Sequence, residues 1–162
     1  MKKSRKKYNS NAQLIIGGLV AVFGLLLILP MFLNMLSDSI TAYTIFNLSE
    51  IIVYSGKEIS ALTTITMVLG FVAIGAGILL AVTELLNICG LKLPRGLYLV
   101  LALITVLMTI ASFVLVIILS SSASASTTIG GVGAYKIDVA SYLLLAFGLV
   151  SAGLGLILHA KK

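Results

Sequence analysis

The chain has 162 residues, of which 60% are hydrophobic and 10% are charged, and its mean hydropathy is +1.20. A soluble domain carries about 25% charged residues. This composition therefore excludes a protein whose whole surface faces water, and it indicates that lipid covers most of the surface. The net charge of +6 does not indicate a nucleic-acid-binding protein, because the basic residues lie in short clusters beside apolar runs and form no stripe along a helix.

Reactive residue types are scarce in this chain. Cys89 is the only cysteine and His159 the only histidine, which excludes an intramolecular disulfide and leaves no cluster with metal-ligand spacing. The sequence contains no G-x-S-x-G or H-E-x-x-H motif and no pair of aspartates inside an apolar run. We therefore expect a non-enzymatic protein without cofactor or metal. Cys89 is interpreted as a residue at the membrane interface, with reversible acylation as the alternative.

The chain opens with a basic, polar head, which is followed by a largely apolar run over residues 14–36. This run is long enough for a first membrane span. A signal peptide opens in the same way, but its apolar core is about 7–15 residues long and is followed by a small-residue cleavage site. We therefore expect this span to be retained. Pro30 should kink or end the helix near the outer end of the span, because proline lacks a backbone N–H.

Residues 37–60 form a longer hydrophilic connection with structure of its own. The segment TAYTIF, residues 41–46, is rich in β-branched and aromatic residues and predicts a short strand. Asn47 and Glu50 have the spacing of a capping box, which predicts one or two turns of helix ending near Gly56.

The second span, residues 61–86, carries small residues at helical spacing. Three of them stand four residues apart and share one helix face, against which a second helix can pack closely. The fourth span, residues 139–158, has a similar pair. The residues predicted to pack helix against helix are Gly70, Ala73, Gly77, Ala81, Gly148 and Ala152.

A tight basic turn over residues 87–96 leads into the third span, residues 97–119. This span is mostly aliphatic, with one polar stripe formed by Thr105, Thr109 and Ser112. Hydroxyls of this kind usually bond to their own helix or to a neighbouring helix. Helix packing is therefore the expected role of the stripe, and a polar path across the membrane is the alternative.

The second outer loop, residues 120–138, combines three features. Residues 120–128 are of low complexity and are predicted to be flexible. Residues 134–137, with the sequence AYKI, predict a second short strand. Asp138 stands where the N-cap of the fourth span belongs.

Glu84 is the only acidic residue inside an apolar run, and it joins the threonine stripe as a candidate site. A carboxylate within the membrane is costly and is by default a functional candidate. Because Glu84 lies near the end of its span, we expect it to pair with Lys92 or Arg95 across the short turn, with ion or proton handling as the alternative. His159 is interpreted as a solvated helix end, with a proton switch as the alternative.

The distribution of basic residues predicts the orientation of the chain. Four spans place both chain ends and the turn over 87–96 on one side, with Lys57 and Lys136 on the other. That first side carries Lys2, Lys3, Arg5, Lys6, Lys7, Lys92, Arg95, Lys161 and Lys162. By the positive-inside rule, we expect a multi-pass plasma-membrane protein with both termini in the cytoplasm.

The order of these parts resembles that of a group of small, poorly characterised four-transmembrane-helix membrane proteins of low-GC Gram-positive bacteria. The resemblance rests on the basic head, on the first outer loop TAYTIFNLSEIIVYSG, and on a strand that runs directly into the last span, GAYKIDVASYLLLAFG. Claudins share this topology by analogy only, since the chain has no tryptophan and no outer cysteine pair. The resemblance implies no activity.

Together these features predict an all-α membrane protein: a single domain built as a left-handed four-helix transmembrane bundle. Its extracytoplasmic cap should contain short strands and one short helix, with TAYTIF paired against AYKI. The leading functional hypothesis is an accessory, scaffold or immunity-type interaction protein. Its partners would be membrane lipid and another membrane protein or a second copy of the chain, and not nucleic acid. The alternative is a small transporter or an oligomeric channel subunit.

Overall fold

The computed structural model describes residues 11–38, 41–48, 51, 60–127 and 134–160. Most of them belong to four helices, which are α1 (Asn11–Leu26), α2 (Ser60–Ile88), α3 (Arg95–Thr127) and α4 (Val139–Ala160). Each helix, with α1 extended by a 3-10 turn over Leu29–Phe32, is long and apolar enough to cross a membrane. This architecture confirms the predicted all-α four-helix bundle and fits an integral membrane protein.

The four helices form a ring in which α1 and α3 each pack against α2 and α4. Helices α2 and α4 also touch each other across the diagonal of this ring. One end of the bundle, here the turn end, holds the start of α1, the end of α4 and the turn between α2 and α3. At this end Gly90 stops α2 with φ 96°, and the Leu91 N–H donates to the Leu86 carbonyl at 2.9 Å. The opposite end is the cap end.

The first span differs from its prediction over residues 14–36. Helix α1 ends at Leu26, and Pro30 is buried in the 3-10 turn that follows. In this region the Met31 N–H donates to the Ile28 carbonyl, three residues back, at 3.2 Å. Proline cannot donate the bond that would continue an α-helix, so the apolar chain leaves the helix early.

The cap end carries a three-stranded antiparallel sheet of β1 (Asn34–Ser37), β2 (Ala42–Thr44) and β3 (Lys136–Ile137). The strand order is β2-β1-β3, with Leu36 opposite both Tyr43 and Ile137. The expected direct pairing of TAYTIF with AYKI is therefore wrong. Residues 34–36, which the sequence places in the first span, instead form the strand that separates them.

Helix α3 extends well beyond the predicted end of the third span at residue 119. The stretch predicted to be flexible over 120–128 is helical as far as Thr127. Its serines hold the chain that leads into β3: the Ser120 hydroxyl donates to the Tyr135 carbonyl at 2.8 Å, and the Tyr135 N–H donates to Ser124 Oγ at 2.9 Å. The low-complexity segment thus joins the helix to the sheet.

Two polar side chains at the cap accept hydrogen bonds from residues close to them in sequence. Helix α4 begins at Val139, the predicted start of the fourth span, and the Val139 N–H donates to Asp138 Oδ1 at 2.7 Å. Asn47 Oδ1 accepts bonds from the backbone N–H and the hydroxyl of Thr44, at 2.6 Å and 2.9 Å. Asn47 therefore stabilises the turn before it. The rest of the predicted capping box and short helix, over residues 49–56, lies largely outside the described residues.

Tyr135 packs under the sheet beside Tyr43, with ring centroids 6.1 Å apart. Burial, reinforced by the Tyr43 phenol and the Asp38 carboxylate, raises the pKa of Tyr135 from 10.0 to about 12.

A tyrosine that ionises less readily when folded contributes stability that is intact below pH 10 and is lost as the pH rises towards 12. We therefore expect the cap to loosen over this interval. In the absorbance of tyrosinate, Tyr135→Phe should remove the latest titrating component. Its persistence in that variant would contradict the assignment.

Candidate functional site

Helix packing in the centre of the bundle depends on small residues. The six residues predicted for this role are all buried. Four of them lie on α2 and two on α4: Gly70, Ala73, Gly77, Ala81, Gly148 and Ala152. At Gly24 on α1, an added Cβ atom would lie 2.7 Å from Ala81 Cβ and 2.7 Å from the Gly77 carbonyl oxygen on α2. Helices α1 and α2 therefore meet almost backbone to backbone.

A buried pair of ionisable side chains lies at the turn end of the bundle. Glu84 on α2 and His159 on α4 are in direct contact through Glu84 Oε1 and His159 Nε2. The Glu84 side chain is 1% exposed and that of His159 is 9% exposed. The contact bridges the diagonal of the helix ring, so it links two helices that are not neighbours around it. We call Glu84, His159 and the residues that contact them, Asn87 and Tyr98, the turn-end cluster.

Asn87 and Tyr98 hold this pair from two directions. The Asn87 amide donates to Glu84 Oε2 at 3.4 Å. The Tyr98 ring stacks on the His159 imidazole, with centroids 4.2 Å apart and planes 14° apart, and its hydroxyl donates to the Thr83 carbonyl at 3.3 Å. The carboxylate therefore has polar partners on both oxygens, as a buried charged group requires.

Arg95 fixes the end of α4 without touching Glu84. Its Nε atom donates to the His159 carbonyl at 2.5 Å, and one terminal nitrogen donates to the Ala160 carbonyl at 2.8 Å. These carbonyls end a helix and carry its partial negative charge, which a guanidinium stabilises. The expected pairing of Glu84 with Lys92 or Arg95 is therefore wrong. Lys92 is exposed in the turn.

The contact between Glu84 and His159 is not apparent when each residue is interpreted with its neighbours in sequence. Both continue a stripe of small residues: Gly77, Ala81 and Glu84 are spaced by four and three, as a buried helix face requires. His159 stands in the same way four residues after Gly155, which is buried. This periodicity is the feature of the sequence that predicts burial of both side chains. The interpretation of His159 as a solvated helix end does not hold for its side chain.

The polar stripe on α3 is fully buried but separate from the turn-end cluster. The Thr105 hydroxyl donates to the Leu101 carbonyl of its own helix at 2.8 Å. Thr109 faces Gly148 on α4 and Ser112 faces Gly70 on α2. Leu80 lies one turn before Glu84 on α2 and Ala102 lies one turn before Thr105 on α3, and both belong to one buried apolar cluster with Val20 and Ala152. The structure therefore does not join Glu84 and the stripe into one polar path.

Two hydroxyls of the stripe have no hydrogen-bond partner among the described residues: Thr109 Oγ1 and Ser112 Oγ. An unsatisfied buried hydroxyl costs about 1–3 kcal/mol. We therefore expect Thr109→Val, which keeps the shape of the side chain, to raise the free energy of unfolding by about 1 kcal/mol. The matched control is Thr105→Val, which removes a hydroxyl that has an acceptor and should bring no gain. Equal losses in the two variants, measured by unfolding in mixed micelles, would contradict this.

The turn-end cluster brings one carboxylate and one imidazole into direct contact. Across the described ranges, no three His, Cys, Asp or Glu residues come together as a metal site would require. Comparison of the chain with protein-family models, curated proteins and solved structures finds no match. The geometry and the sequence are thus the basis for any functional interpretation.

Proposed function

We propose that the chain is a non-enzymatic interaction protein of the plasma membrane: an accessory, scaffold or immunity-type factor that binds another membrane protein or a second copy of itself. The supporting observation is the closed interior of the bundle. Thr109 and Ser112 of the α3 stripe face glycines so closely that a Cβ atom added at Gly148 would collide with the Thr109 side chain, and one added at Gly70 would lie 3.5 Å from Ser112 Oγ. Large buried side chains then fill the cap half of the core, among them Leu27, Leu119 and Leu144. A bundle packed in this way presents surfaces rather than a passage.

The proposal places the turn end in the cytoplasm and the cap outside. Among the described residues, Lys92 and Arg95 are exposed at the turn end and Lys136 is exposed at the cap. By position along the chain, nine basic residues belong to the turn end and two to the cap end. This bias is the pattern that the positive-inside rule associates with cytoplasmic segments.

The cap is the surface best suited to a protein partner. It is tied to the bundle by hydrogen bonds of Ser120 and Ser124 to Tyr135, and of the Ser141 hydroxyl to the Met35 carbonyl at 2.9 Å. On this fixed base Phe46 is 52% exposed although its ring contacts that of Phe71, with centroids 5.5 Å apart. Exposed aromatic residues on a rigid support are common anchors in protein interfaces.

Photo-cross-linking in native membranes tests the interaction role. A photoreactive residue in place of Phe46 should give one discrete adduct with a partner or a second copy. The matched control is Ile157, which is 54% exposed and lies near the end of α4, at the turn end of the bundle. A photoreactive residue there should give only diffuse lipid adducts. Absence of an adduct at Phe46, together with a solitary monomer in native mass spectrometry, would contradict the proposal.

A second candidate function is transport, and one observation favours it: an ionisable pair buried in a membrane bundle. Flux measurements in liposomes separate the two functions. With the closed interior we expect no solute or ion flux under any imposed gradient. A flux that disappears in Glu84→Gln or Thr109→Val would replace the interaction role with transport.

A further inference from the structure

The ionisable side chains of the four helices are concentrated at one end of the bundle. The helices contain five such residues, and four of them lie at the turn end: Glu84, Arg95, Tyr98 and His159. The fifth, Tyr142, lies near the start of α4 and is 53% exposed. Glu84 is the only carboxylate in the helices. Within the helices, a cation buried at the turn end therefore has no other anion to pair with.

Two basic groups converge on a single residue at the end of α4. The His159 imidazole contacts the Glu84 carboxylate, and the His159 backbone carbonyl accepts a bond from Arg95 Nε at 2.5 Å. The guanidinium also donates to the carbonyl of the next residue at 2.8 Å. One carboxylate thus lies beside an imidazole that is itself held next to a permanent cation.

The other described groups that face the pair bring no further charge. Helix α1 has no ionisable side chain and faces the carboxylate with Gly17, where an added Cβ atom would lie 3.5 Å from Glu84 Oε2. On α2 the Asn87 amide contacts the same oxygen, and on α3 the Tyr98 ring stacks on the imidazole while its hydroxyl donates to a backbone carbonyl. Lys92, in the turn, is exposed, and its charge is screened by the solvent. The charge balance of the buried contact therefore depends on the carboxylate, the imidazole and the guanidinium.

The number of protons on the pair sets this balance. With a carboxylate and a neutral imidazole, one negative charge is buried beside the guanidinium. One added proton gives an ion pair without net charge. A second proton neutralises the carboxylate and leaves an imidazolium next to Arg95 with no anion to compensate the two cations. A buried charge without a partner is strongly unfavourable, and the two cations repel each other.

We propose that the turn-end cluster is a proton-sensitive latch on the end of α4. The first proton tightens the contact between α2 and α4, and the second releases the last turn of α4 from the bundle. The side chain of His159 is 9% exposed, which gives protons access from the compartment that the turn end occupies. The latch responds to the acidity of that compartment, and it is independent of the interaction role, which is assigned to the cap.

The pH profile of unfolding tests the latch. The native chain is compared with the double variant Glu84→Leu with His159→Leu, which retains every other ionisable group. Both are unfolded in mixed micelles between about pH 8 and about pH 4, the interval in which imidazoles and carboxyls usually titrate. Relative to the double variant, the unfolding equilibrium of the native chain should shift towards the unfolded state by about tenfold or more at the acid end, as expected for the loss of one charged hydrogen bond. Parallel profiles would overturn the proposal, because the acid sensitivity would then come from other carboxyls.

Hydrogen exchange in the folded chain shows where the release occurs. The amides of residues 157–160, in the last turn of α4, should exchange about tenfold faster or more at the acid end, while those of residues 143–146 on the same helix stay protected. His159 is the only histidine, so its ring signals in nuclear magnetic resonance report its proton directly. In Glu84→Gln the first proton already leaves an unpaired imidazolium, so the release should move to a higher pH. Uniform exchange along α4, or a release at the same or a lower pH in Glu84→Gln, would overturn the assignment.

Discussion

Replacing His159 with leucine should lower the free energy of unfolding by about 3–5 kcal/mol, the largest effect expected from a single side chain in this bundle. The reason is the isolation of Glu84, which is fully buried and would lose the imidazole that contacts one of its oxygens. Asn87 would remain on the other oxygen at 3.4 Å, a long and weak bond. Unfolding by sodium dodecyl sulfate in mixed micelles measures the loss.

A second substitution separates the cost of an unpaired charge from the cost of lost packing. In the double variant Glu84→Leu with His159→Leu, no charge remains buried, and we expect the stability to return to within about 1 kcal/mol of the native protein. Lys92→Leu at the same end, where the side chain is exposed, is the matched control and should change stability by less than about 0.5 kcal/mol. Unchanged stability in His159→Leu alone would mean that the pair does not form in the membrane.

The second large effect is expected at Gly24, where even alanine should destabilise the bundle. A Cβ atom there would meet Ala81 Cβ and the Gly77 carbonyl oxygen at 2.7 Å, and neither can rotate away. We expect Gly24→Ala to cost about 1–3 kcal/mol through overpacking. The matched control is Gly75→Ala on the outer face of α2, where an added Cβ meets nothing within 4 Å among the described residues. That change should stabilise the helix by up to about 1 kcal/mol.

Both glycine variants are read by the same micelle unfolding assay and by helical circular dichroism at fixed detergent. A loss at Gly24 with none at Gly75 would establish the close approach of α1 and α2. Equal effects at the two positions would show that helix propensity, and not contact between helices, sets the stability.

The four helices were predictable from composition, but only α2 and α4 end close to their predicted ends. Residues 61–86 and 139–158 differ from α2 and α4 by at most two residues at each end, because the apolar runs there stop at charged or turn residues. The first span was placed too far along because Met35 and Leu36 are apolar in a strand as well as in a helix. The predicted third span ends too early because the serine-rich stretch that follows it is of low complexity, although serine is tolerated in a helix.

One member of the turn-end cluster, Glu84, was predictable as a candidate site residue, but its partners were not. The charge of Glu84 inside an apolar run identifies it as a candidate, but proximity in sequence favours Lys92 and Arg95 as its partners. Which side chains meet depends on the packing of α2 against α4, and hydropathy carries no information on that contact. The periodicity that places Glu84 and His159 on buried faces was present in the sequence. It identifies a buried face without identifying the helix opposite.

The most direct test of the overall arrangement uses the only cysteine in the chain. Cys89 is exposed in the turn end, and Lys136 is exposed in β3 at the cap. A membrane-impermeant maleimide applied to intact cells should leave Cys89 unmodified until the membrane is permeabilised. In the variant Cys89→Ser with Lys136→Cys, the same reagent should react without permeabilisation. Labelling of Cys89 from outside, or protection of the cysteine at the cap, would contradict a four-span bundle with its turn end in the cytoplasm.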